Sequence, residues 1–180
     1  MIEKDAPPIV VGVDGSPDSV RALRWAAQLA ALFGSPIEAI MVWEPPIEFG
    51  WTYPVALRTD DWQERCMQAM HRAVDEAYGT QRPPRLRLRV IEGYPAARLI
   101  EASKGAELLI VGSRGHGGFA SLVLGSVGVK CVEHAHCPVL VARHERTAAE
   151  HADEHPTETA STTAPAAATE AQPVAAASMN

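Results

Sequence analysis

The chain has 180 residues, 47% of them hydrophobic, and a formal net charge of -6, which suits one globular domain with an appendage. Six acidic residues and one arginine from His144 onward account for five of those six charges, so residues 1–143 are nearly neutral and offer no field for nucleic acid. No run approaches the ~18 apolar residues of a membrane span, the start "MIEKDAPP" has no apolar signal core, and the three cysteines, Cys66, Cys131 and Cys137, make no disulfide framework, so the expectation is a cytoplasmic protein with no membrane or nucleic-acid partner.

Residues 9–13, "IVVGV", are a short apolar run of strand formers. Asp14-Gly15-Ser16-Pro17 follows, with Ser16 suited to an N-cap and Pro17 to a first helical position. Val20, Leu23, Ala27 and Ala30 then recur at helical spacing until Gly34. "IEAIMVW", residues 37–43, is a second strand, and residues 44–58, with three prolines, form a loop. Asp60 and Gln63 suggest a capping box. The helix after it carries Trp62, Cys66, Met70, Ala73 and Ala77 on one face and stops at Gly79.

In "RLRLRVI", residues 85–91, leucines and a valine alternate with arginines. Such alternation leaves one face wet and places the strand at a sheet edge. A third helix runs from Pro95 to about Lys104 with Leu99 and Ile100 inward. "ELLIVG", residues 107–112, is a strand buried on both faces. A glycine-rich stretch follows, then a fourth helix from Ser126 to about Ala135 and a last strand, "PVLVA", at 138–142. Strands and helices alternate throughout, so the chain is α/β, a parallel sheet with helices on both faces. The division expected is a domain over residues 1–145 and a disordered tail over 146–180, rich in Ala, Thr, Glu and Pro.

In such sheets ligands sit beyond the carboxyl ends of the strands. "VGSRGHGGFASLVLGS", residues 111–126, leaves one of those ends. Gly112, Gly115, Gly117 and Gly118 permit φ > 0 and close approach of main-chain N–H groups to an anion. Gly125 and Ser126 stand at a helix start, where free N–H groups and the dipole attract phosphate. The rival reading is a surface loop with Ser126 as a plain N-cap. The stretch lacks the Gly-Lys-Ser/Thr ending of a Walker A loop, and Arg114 and Lys130 are the nearby cations.

Three other constellations carry less weight. Cys131, His134, His136 and Cys137 lack the spacing of a zinc site. "VGSRG" has Val111 where a nucleophile elbow needs glycine. "DGSPDS" is a distant echo of the loop of ATP pyrophosphatases. Trp25, Trp43, Trp51 and Trp62 are taken as packing residues. Asp14 has three readings: metal ligand, ribose or phosphate partner, or turn residue.

Gly112, Gly115, Gly125 and Ser126 meet the pattern G-x2-G-x9-G-S. With "VVGVDGSPDSVRALRWAA" near the start and "HAHCPVLVAR" near the end, the chain resembles the ATP-binding branch of the universal stress protein family over residues 8–143. The resemblance implies a three-layer, open-twisted, Rossmann-like parallel sheet of five strands in order 3-2-1-4-5. It implies ATP, with Mg2+ as an optional companion. It places Asp14 by the nucleotide, the Val42 backbone at adenine, and Gly112, Arg114, Gly115, Gly125, Ser126 and Val127 around ribose and phosphates. It also implies a homodimer through Pro138 to Ala142, an apolar edge that itself invites pairing. One departure is Gly128, where members often carry Ser or Thr. The function expected is that of a nucleotide-dependent sensor or regulator in stress, with an unidentified protein partner. The alternatives are a slow ATP-hydrolysing enzyme and an interaction module that binds no nucleotide. No general base stands out for the enzyme.

Overall fold

The computed structural model describes residues 6–44, 59–115 and 124–143. The prolines at 45, 46 and 54, Trp51, Gly117, Gly118 and the expected tail at 146–180 lie outside these residues. Nine elements alternate along the chain: β1 (Ile9–Gly12), α1 (Pro17–Phe33), β2 (Ile37–Trp43), α2 (Thr59–Tyr78), β3 (Leu86–Glu92), α3 (Pro95–Ala102), β4 (Leu108–Gly112), α4 (Ser126–His134) and β5 (Val139–Ala142). The strands form one sheet in the order β3-β2-β1-β4-β5, and every pairing is parallel. This is the order that the resemblance implies, and β3 takes the edge that its alternation predicts.

Alternate side chains of the strands feed two cores, since successive residues point to opposite faces. Ile9, Val11, Ile37, Ala39, Met41 and Ile110 pack under α1 and α2. Val10, Ile40, Leu109 and Val111 pack on the other face with Leu99 of α3 and Cys131 of α4. Burial on both faces explains why β1 and β4 read as continuous apolar runs. β3 is half covered. Leu86, Leu88 and Val90 pack inward, while Arg85, Arg87 and Arg89 stay exposed. Arg89 pairs with Glu38, and Arg85 donates to the Gly34 carbonyl.

The start of α1 forms as its residues dictate. Ser16 caps it, accepting from Ser19 N at 3.3 Å, and Pro17 takes the first helical position. Gly34 ends it with φ 69°, its N–H returning to the Ala30 carbonyl. Tyr78 ties α2 to α1 by donating its half-buried hydroxyl to the Leu23 carbonyl at 2.6 Å; desolvation pushes its pKa well above the usual tyrosine value.

Three sequence expectations need correction, and one rival reading falls. The buried apolar row of α1 is Val20, Ala22, Leu23, Ala26 and Ala30, so Val20, Leu23 and Ala30 lie inward as expected, while Ala27 is only half-buried and Ala26 takes its place on the stripe. α2 already includes Thr59 and Asp60, so Asp60 is a first-turn residue and not the cap of a capping box. Trp25 is 37% exposed and lies under the Arg21 guanidinium, 6.0 Å from the ring centre, so it is a surface residue and not a core one. α4 opens at Ser126 as expected; Gly125 is its cap and there is no side-chain cap bond, so the rival reading of Ser126 as a plain N-cap falls. Among the described residues no helix is long and apolar enough to cross a membrane.

Candidate functional site

A cleft of about 380 Å³ opens at the carboxyl ends of the strands, within the size range of about 300–1,000 Å³ usual for small-molecule sites. Its floor is the end of β1 and the turn after it, Gly12, Val13 and Asp14. One wall is apolar, built from Ile40 and Val42 of β2, Pro95 and Leu99 of α3, and Val111 of β4. The facing wall is main chain, the turn from Gly112 to Gly115 and the first turn of α4 from Gly125 to Gly128. A second hollow of about 440 Å³ lies at the opposite ends of the strands, between Pro7, Pro8, Pro36 and Arg87. Its carboxylate, Glu38, is already paired with Arg89, so the first cleft has the more useful polar groups.

The start of α4 supplies those groups. A helix leaves its first N–H groups without partners inside the helix. In α4 the ladder begins with Val129 N donating to the Gly125 carbonyl at 3.0 Å. The N–H groups of Ser126, Val127 and Gly128 precede it, and these residues line the cleft. They carry the positive end of the helix dipole. The position of this helix start is set by Gly125 N, which donates to the Ser113 carbonyl at 2.8 Å.

The turn after β1 is fixed by short local bonds. Asp14 Oδ1 accepts from Ser16 N at 2.9 Å and from Ser16 Oγ at 2.6 Å, an Asx turn. Gly15 has φ 86°, a region that residues with a Cβ avoid, and its N–H donates to Ser19 Oγ at 3.2 Å. Asp14 itself is exposed at the cleft mouth.

The loop glycines serve closeness. Gly15 is the site residue in the left-handed region, whereas Gly112, Gly115 and Gly125 do not have positive φ. The expectation of positive φ in the glycine stretch is therefore corrected for Gly112 and Gly115. A Cβ on Gly112 would lie 2.9 Å from Asp18 Cβ and 3.1 Å from Ser19 N. A Cβ on Gly115 would land on Asp14 Oδ2. The turn and α1 touch there with no room for a side chain.

The structure brings Asp14, Val42, Gly112, Arg114, Gly115, Gly125, Ser126 and Val127 to the walls of this one cleft. Sequence reasoning missed Gly12, whose Cβ would lie 2.9 Å from Leu99 Cδ1. It also missed Ser113 and Asp18. Ser113 Oγ donates to Asp18 Oδ2, and Arg114 N donates to the same oxygen at 3.0 Å. A carboxylate in a first helical turn is usually explained by the dipole alone, so nothing local pointed to this longer link.

The cysteine–histidine group is dispersed. Cys131 is fully buried in the core with Leu99 and Leu109. Cys137 donates its thiol to the Pro138 carbonyl at 3.4 Å, and His136 N donates to Ser103 Oγ. Among the described residues no group of three or more His, Cys, Asp or Glu is placed to hold a metal ion. Burial pushes the Cys131 thiol up to about 11. The thiolate is the reactive form, so at pH 8 about one molecule in a thousand carries it. Iodoacetamide at pH 8 is expected to modify Cys66 and Cys137 in the native protein and Cys131 only after denaturant. Mass spectrometry of native-state digests showing early Cys131 adducts would contradict this.

The model of the universal stress protein family matches residues 7–143. A universal stress protein of Mycolicibacterium smegmatis is 34% identical over 149 residues, 76% of this chain and 45% of the relative. One of Mycobacterium tuberculosis is 29% identical over 152 residues, 82% of this chain and 51% of the relative. The chain thus spans about half the length of these curated relatives. Among solved structures, UspA from Lactobacillus plantarum has a TM-score of 0.61 at 22% identity over 78% of this chain and 100% of its own. A universal stress protein in complex with cAMP has a TM-score of 0.57 at 25% identity over 78% and 98%. One from Archaeoglobus fulgidus in complex with dAMP has a TM-score of 0.53 at 23% identity over 77% and 99%. The sheet order, the glycine turn beside α4 and a family match across every described strand and helix lead to one conclusion: the chain belongs to the universal stress protein family.

Proposed function

We propose that the cleft binds ATP and that the protein acts as a nucleotide-dependent sensor or regulator in the stress response, in the cytoplasm and as a homodimer. One observation carries the reading. Main-chain amides of the α4 start share a single cleft with an apolar wall of Ile40, Val42 and Leu99. An apolar wall suits a flat base, and convergent amides suit phosphates. The relative solved with cAMP, at 25% identity, supports an adenine nucleotide as the ligand class.

Asp14 is the acidic residue among the described cleft residues. Mg2+ arriving with the phosphates needs one or two carboxylates, and Asp14 would supply one. Arg114 adds a cation at the same wall. Gly128 offers no hydroxyl, so phosphate grip rests on N–H groups. Its place is tight: a Cβ there would meet Leu124 Cδ1 at 2.5 Å. Among the described residues no general base stands beside the amides, so hydrolysis is expected to be slow.

A thermal melt tests the reading. At about 100 times its dissociation constant, Mg-ATP adds about 2.7 kcal/mol of stability. No shift at millimolar ATP would defeat the proposal in favour of a module that binds no nucleotide. Product accumulating over many turnovers would favour an enzyme instead.

The dimer is proposed through the last strand and its entry, Pro138 to Ala142. β5 is an outer strand of the sheet, and Val141 is 38% exposed. Unpaired apolar edges of this kind recruit another strand. Sedimentation equilibrium at the mass of two chains is expected; a monomer at all concentrations would refute it.

A further inference from the structure

Asp18 is the second residue of α1 and only 3% exposed. A carboxylate leaves water only when partners compensate it. Its partners lie on a turn 95 residues further along the chain. Oδ2 accepts from the Ser113 hydroxyl and from the Arg114 N–H at 3.0 Å.

That N–H belongs to the peptide unit joining Ser113 and Arg114. The carbonyl of the same unit accepts from Gly125 N at 2.8 Å. A trans peptide is planar and holds its N–H and C=O in opposed directions. Fixing the N–H on Asp18 therefore fixes the direction of the carbonyl. The carbonyl in turn holds Gly125, the cap of α4. Gly112 allows this arrangement, because a Cβ there would press on Asp18 Cβ and Ser19 N. The glycine lets α1 close over the turn.

We propose that Asp18 is a positioning residue for the phosphate side of the cleft. It orients the Ser113–Arg114 peptide, and through it the start of α4, so that the N–H groups of Ser126, Val127 and Gly128 converge on the ligand. This rests on the nucleotide reading above and adds a residue that touches no ligand. It makes the N-terminus of one helix dependent on a carboxylate carried by another.

The experiment compares full-length wild type, Asp18→Ala and Asp18→Asn by calorimetric titration with Mg-ATP and with adenosine, and by hydrogen exchange at the Gly125 amide. Loss of the tether is expected to weaken Mg-ATP by about tenfold or more, while adenosine affinity changes far less. Asn keeps a side-chain oxygen that can accept from the Arg114 N–H, so Asp18→Asn recovers part of the loss. Exchange at Gly125 accelerates in Asp18→Ala, while amides in the middle of α1 keep their protection. Equal losses for ATP and adenosine, or unchanged ATP affinity, would overturn the proposal. Should Asp18→Ala fail to fold, Asp18→Asn decides on the same ATP-to-adenosine ratio. Wild-type protein that binds neither ligand defeats the nucleotide reading instead; unchanged Gly125 exchange in a folded Asp18 variant then also defeats the positioning role.

Discussion

Gly112→Val will destabilise the domain by about 3 kcal/mol and lower its melting temperature by roughly 10 °C. The cause is overpacking against groups that cannot yield. A Cβ at 112 would sit 3.1 Å from the Ser19 main-chain nitrogen and 3.2 Å from the Arg114 carbonyl oxygen. It would also press on Asp18 Cβ at 2.9 Å. Two of these three atoms are backbone, one in α1 and one in the turn. Relief requires α1 to move off the end of β4, which pulls Asp18 away from Ser113 and Arg114. Urea titration monitored by circular dichroism measures the loss, and a change below about 1 kcal/mol would mean that the helix shifts freely. The cleft should fail with the fold, so Mg-ATP should not rescue the melt.

Gly115→Val is the complementary case, expected to fold and yet lose the Mg-ATP stabilisation entirely. Its Cβ would land on Asp14 Oδ2, at the exposed mouth of the cleft and not in a core. Asp14 is held at its other oxygen by Ser16 N and Ser16 Oγ, so it cannot swing aside without breaking the turn after β1. The variant therefore disturbs the carboxylate and fills the space between the two turns. In a melt at about 100 times the wild-type dissociation constant, the roughly 2.7 kcal/mol gain should fall to near zero. A folded variant with undiminished stabilisation would remove the Asp14–Gly115 junction from the binding site.

These two glycines mark how far the sequence could be read. Their presence was visible, and so was the strand end from which they leave. The reason for them was not. Sequence alone suggested freedom of φ and close approach to an anion, whereas the structure presses them against α1 and Asp14. The arrangement of elements was legible because β1 and β4 are unbroken apolar runs and β3 alternates, patterns that report burial on two faces or one. Periodicity is less exact within a helix, where Ala26 and Ala27 compete for the same stripe and only packing chooses between them. Asp18 was illegible for a different reason. Its bonds to Ser113 and Arg114 arise only once β4 lies beside β1, and no local pattern records which turn a side chain will meet. Ser16 shows the opposite case: its cap bond is local, and it could be anticipated from residue type and position.

The two borders of the sheet differ in a way that bears on how large an assembly can become. At the β3 border, Arg85 just before the strand and Arg89 within it are engaged with Gly34 and Glu38, and charged side chains along an outer strand discourage further strands from adding. On β5, Val141 stands open. The proposed pairing would use the one open border and leave only the guarded one. Under the proposed pairing through β5, continued sheet extension would stop at two chains, so a high concentration of this protein is expected to produce pairs and not fibres.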